Sequence, residues 1–96
     1  MDFFLKNLKE TLGAINKLID NNVHVVNTKR IRKCNKIKSS DRSKINFIWR
    51  SLSFLEQEGI LEKNGVNKPK TYNIRNLDPI DIESFISLIK KKKDIE

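Results

Sequence analysis

The residues best equipped for chemistry in this sequence are its cations. Between Asn27 and Arg50 stand Lys29, Arg30, Arg32, Lys33, Lys36, Lys38, Arg42, Lys44 and Arg50, against one anion, Asp41. The segment therefore carries 9 − 1 = +8, which equals the net charge of the whole 96-residue chain. The flanks cancel, and a neutral frame around one basic insert is the electrostatic footprint of a protein that holds a phosphate backbone. Other reactive side chains are sparse. His24 and Cys34 are the single His and the single Cys. One Cys supports neither an internal disulfide nor a Cys-rich zinc site, and a lone His without paired Cys lacks metal-ligand spacing. No Gly-rich phosphate loop is present, and the carboxylates lie on helix faces or ends without the pairing needed for general acid–base work. The chain reads as a non-enzyme with no cofactor, no metal and no evident small-molecule ligand. His24 reads as a strand residue, and Cys34 as a small core residue.

The elements that must position these cations follow from periodicity. Phe4, Leu5, Leu8, Leu12, Ile15, Leu18 and Ile19 recur at three- and four-residue steps and predict an amphipathic helix over 1–20, with Asp2 as N-cap. The β-branched run at 23–26 predicts a short strand. A second helix is expected over 28–37, capped by Asn27 or Thr28, with Ile31, Cys34 and Ile37 on its apolar edge. A turn follows, where Ser40 or Asp41 caps a longer helix over 41–58 that ends at Gly59. Ile45, Ile48, Trp49, Leu52 and Leu55 are its expected buried stripe, with Trp49 in the core. Ser43, Asn46, Phe47, Arg50 and Phe54 then fall on or near the opposite side. Two β-prone runs over 60–74, with a loop opening at Asn64-Gly65, predict a hairpin. Asp78 and Pro79 are the expected N-cap and first residue of a last helix over 78–93, striped by Ile82, Phe85, Ile86 and Ile89 and closed by the lysines at 90–93. The result is one domain spanning 1–96, mainly α with a small β-hairpin (α+β).

The order helix, strand, helix, helix, strand, strand, helix resembles the winged helix-turn-helix superfamily, in the manner of small MarR- or ArsR-type regulators. The resemblance covers roughly residues 4–75. Its most specific stretch is SSDRSKINFIWRSLSFLEQEGILEK followed by NGVNKPKTYNI, including the signature Leu55-Glu56-Gln57-Glu58-Gly59-Ile60-Leu61. It implies that helix 42–58 is a recognition helix presenting Arg42, Ser43, Lys44, Asn46, Phe47 and Arg50 to the major groove. There, Arg50 suits guanine, Asn46 suits adenine, and Phe47 suits a thymine methyl. It further implies that Lys29, Arg30, Arg32 and Lys33 hold phosphates, and that Lys68 and Lys70 sit at or beside the tip of a wing. Phe47 and Phe54 alternatively pack on another subunit or on the last helix.

The function expected on these grounds is double-stranded DNA binding by a transcriptional regulator, as a homodimer built from the first and last helices (Phe85, Ile86, Ile89). Two alternatives differ in class: a protein-interaction winged helix within a replication or transcription assembly, and a less specific nucleic-acid or nucleoid-binding protein. No stretch approaches the ~20 apolar residues that span a bilayer, and the charged N-terminus does not read as a signal peptide. A cytoplasmic protein of prokaryotic, archaeal or viral origin, without a membrane partner, is therefore expected.

Overall fold

Three of the chain's helices end on the same device, and that device sets where the elements begin and stop. A computed structural model describes residues 3–67 and 70–95. Helix α1 (Phe3–Asp20) ends with Asn22 at φ 60°, α2 (Thr28–Cys34) with Lys36 at φ 55°, and α3 (Arg42–Gln57) with Gly59 at φ 81°. After each left-handed residue the next N–H reaches back five residues: Val23 to the Leu18 carbonyl at 2.8 Å, Ile37 to Arg32 at 2.9 Å, and Ile60 to Leu55 at 3.0 Å. These are Schellman ends, which satisfy carbonyls that a helix terminus leaves open. Val23, Ile37 and Ile60 each pack against the core immediately afterwards.

This device corrects two expected boundaries. The first strand is Val25–Asn27 rather than 23–26, because the Val23 N–H is already bound to α1. Helix α2 stops at Cys34 rather than residue 37, because Lys36 turns left-handed and Ile37 is drawn back onto the core. At the other ends, Asn27 caps α2 by accepting from the Arg30 N–H at 2.9 Å, and Asp41 caps α3 by accepting from the Lys44 N–H at 3.1 Å. The expected cap Asp2 lies outside the described residues.

Strands β1 (Val25–Asn27), β2 (Leu61–Asn67) and β3 (Lys70–Ile74) form an antiparallel sheet in the order β1-β3-β2. Lys63 pairs with Tyr72 and Asn67 with Lys70, so three residues of β2 face one of β3. Asn64 and Gly65 thus belong to an irregular stretch of β2, with Gly65 at φ 94°, rather than opening the hairpin loop. The Asn64 amide donates to Asn73 Oδ1 at 2.7 Å, which gives that bulged backbone a side-chain tie to the partner strand.

Helix α4 (Ile82–Ile95) starts three residues later than the Asp78 cap and Pro79 start predicted. Asn16 on α1 takes both backbone groups of Ile80, accepting from its N–H at 2.7 Å and donating to its carbonyl at 2.9 Å. With those groups engaged, capping passes to Asp81, whose carboxylate accepts from the Ser84 N–H at 3.2 Å and the Ser84 hydroxyl at 3.0 Å.

The core joins Leu8, Leu12 and Ile15 of α1, Ile31 of α2, Ile48, Leu52 and Leu55 of α3, Val26, Leu61 and Tyr72 of the sheet, and Ile86 and Ile89 of α4. Phe54 lies edge-on between Phe4 (5.6 Å between centroids) and Phe85 (6.5 Å), tying α3 to both outer helices. Phe85, Ile86 and Ile89, expected at a subunit interface, are thus placed on the chain's own core. No helix among the described residues is long and apolar enough to cross a membrane.

Candidate nucleic-acid interface

The outward face of α3 is defined by what its inward face buries. Ile48, Ser51, Leu52 and Leu55 are the buried residues of this helix. Ser51 was not foreseen as buried. Its hydroxyl donates to the Phe47 carbonyl at 2.8 Å, so the polar group enters the interior already satisfied. Trp49, expected in the core, is 51% exposed. At about 100° per residue it lies past the edge of the arc centred between Ile48 and Leu55, whereas Ser51 lies inside it.

Opposite that arc, Ser43, Asn46 and Arg50 are exposed and Phe47 is half-buried. These four residues line one shallow depression of about 190 Å³. The arrangement brings together a guanidinium, a carboxamide, a hydroxyl and an aromatic edge on successive turns of one helix. Guanidinium and carboxamide groups both form the paired hydrogen bonds that distinguish base edges. Arg42 is exposed in the first turn.

Lys44 goes elsewhere. Its ammonium meets Glu10 Oε2 of α1 at 3.1 Å, with both side chains about 37% exposed. It borders a different hollow, together with Lys17 and Lys36. Lys44 precedes Ile48 by one turn, so it emerges on the core side of α3 and finds the carboxylate there. Ion pairs at this exposure are worth at most about 1 kcal/mol, and a phosphate competes with Glu10 on comparable terms.

On α2 the buried residue is Ile31. Lys29, Arg30 and Lys33 are exposed, whereas Arg32 is half-buried and donates from Nη1 to the Ile37 carbonyl at 3.1 Å. Arg32 therefore closes the turn after α2. Lys36 and Lys38 are exposed on the connection from α2 to α3. Neither is among the base or phosphate contacts expected from the sequence, although both lie in the basic segment. On the hairpin, Lys70 is half-buried with its ammonium 5.6 Å from the Tyr72 ring centroid, a cation–π contact that holds it against β3. Lys68 lies outside the described residues.

Seven of the nine cations of the basic segment are thus exposed, on α2, its following turn and the outer side of α3. His24 and Cys34 are half-buried, and Cys34 packs against the core. Among the described residues no group of three or more His, Cys, Asp or Glu is placed to hold a metal ion. No protein-family model, curated protein or solved structure matches this chain.

Proposed function

We propose that this chain binds double-stranded DNA as a winged helix-turn-helix protein and regulates transcription by occupying its site. In this reading α3 enters the major groove, exposed cations of α2 and the following turn grip phosphates, and the β2–β3 hairpin is the wing against flanking backbone. The observation that carries it is the outer face of α3: Ser43, Asn46, Phe47 and Arg50 share one depression, opposite the buried arc and beside a predominantly cationic surface. The element order and the β1-β3-β2 pairing support it, because that pairing packs the hairpin beside the helix pair.

Selection of bound fragments from random duplex DNA tests the reading. A consensus of several base pairs is expected, with affinity falling by three to five decades between about 50 and 200 mM salt if roughly six to ten phosphates are neutralised. An inverted repeat with half-sites about 34 Å apart identifies two copies on the site, and a single half-site identifies one. Charge-neutral Gln at Arg42 and Arg50 should abolish selective binding. Recovery of no duplex, with a salt-independent protein partner instead, would replace this reading by the protein-interaction one.

A further inference from the structure

Trp49 is the chain's only tryptophan, and it stands exposed on α3. Four large apolar residues are exposed among the described residues: Phe3, Trp49, Leu77 and Leu88. Single exposed apolar side chains are ordinary, but Trp49 is the one that lies inside the basic segment. Asn46 is three residues before it and Ser53 four after it, so all three share one side of α3. Arg42 lies two turns earlier, within about 20° of Trp49 around the helix. From Arg42 to Leu55 the helix contains no acidic residue. Glu56 lies two turns later at a similar angle, so this side of α3 is basic toward the helix N-terminus and acidic only at its far end. An exposed indole on a line with Arg42, Asn46 and Ser53 complements a polyanion that also offers apolar surface. Nucleic acid has that combination, in its sugars, base faces and thymine methyls.

Resting on the DNA-binding reading above, we propose that Trp49 is a DNA-contacting residue that packs its indole on the deoxyribose and thymine-methyl wall of the groove, on the side of α3 away from Phe47. The helix is then flanked by an aromatic on each side of Asn46 and Arg50. Phe47 is half-buried, while Trp49 stands further out and covers more of the groove wall. The contact is apolar, so it adds affinity without releasing counterions, and that separates it from a role for any neighbouring cation.

The test uses the native protein, Trp49→Ala and Trp49→Phe with a labelled duplex recovered by the selection. Label anisotropy reports binding independently of the tryptophan. Saturating duplex is expected to quench Trp49 emission and shield it from acrylamide. Trp49→Ala should lose roughly tenfold in affinity, in the range usual for truncating a buried aromatic anchor, with the salt slope unchanged. Trp49→Phe should recover most of the loss. Duplex binding with Trp49 still fully quenchable, and with Trp49→Ala as tight as native, overturns this proposal while leaving the DNA-binding reading intact. Failure of any duplex to bind the native protein overturns both.

Discussion

Arg50 and Lys33 carry the same charge, yet their removal should read out differently. Arg50 stands on the outer face of α3 beside Asn46, where its planar fork suits a base edge. Arg50→Ala is expected to cost about 1–3 kcal/mol on the preferred duplex and to relax the preference at one base-pair position. Lys33, on the exposed side of α2, should behave as a phosphate contact. Lys33→Ala should weaken all duplexes alike and reduce the salt slope by about one. A panel of single-base variants of the selected duplex, measured at several salt concentrations, separates the two. Lys36 carries a second kind of information, because it holds φ 55° without being glycine. The left-handed region costs an L-residue roughly 1–2 kcal/mol, partly offset by the greater unfolded-state freedom of glycine. Lys36→Gly should therefore stabilise the fold by about 0.5–1 kcal/mol in urea unfolding while lowering DNA affinity. At this scale the sequence was legible where a residue's fate depends on near neighbours. The three- and four-residue spacing of Ser43, Asn46, Phe47 and Arg50 put them together. It was not legible where the partner is remote or belongs to the backbone. Nothing in the local pattern of Lys44 announces Glu10, 34 residues away, and nothing around Arg32 announces the Ile37 carbonyl. Trp49 was placed inside by its hydrophobicity, although its angular position already put it at the edge of the stripe.

Helix α4 shows the same division between local and remote causes. Its apolar stripe was readable from Ile82, Phe85, Ile86 and Ile89, and Ile86 and Ile89 are buried. What they are buried against was not readable, because an amphipathic stripe looks the same whether it meets its own chain or another copy. Its starting point was also hidden, since Asp78-Pro79 is a sound local start and only Asn16, which holds Ile80 from 64 residues away, moves it to Ile82. The placement has a measurable consequence. Ile86→Ala should destabilise the fold by about 2–4 kcal/mol through lost burial and a residual cavity. Its urea midpoint should not depend on protein concentration. A midpoint that rises with concentration would place Ile86 between subunits. The hairpin was likewise readable as two strands, but its extra residues were not: Asn-Gly is a strong turn signal, and here it falls at the irregularity between Lys63 and Asn67.

Across the whole molecule, the helix pair α2–α3 with its outward cations stands between α1 and the three-stranded sheet, which meets α3 through β2 and α2 through β1. The central strand β3 joins β1 and β2. Element order was enough to anticipate a mainly helical chain with a small β-hairpin, because it does not depend on knowing an individual side-chain partner; the addition of β1 to the hairpin as a third strand was not readable, since it rests on a pairing between residues some 46 positions apart. The left-handed helix ends have a consequence for the thermodynamics of association. With Asn22, Lys36 and Gly59 already in place, and Asn27 and Asp41 already capping, the segment from β1 to the end of α3 has lost its conformational entropy before any partner arrives. Its association should therefore resemble the docking of two preformed bodies. Far-UV circular dichroism should show no gain of helix when duplex is added. Calorimetry should give a heat-capacity change no larger than the buried contact area accounts for, whereas a large excess would signal folding coupled to binding.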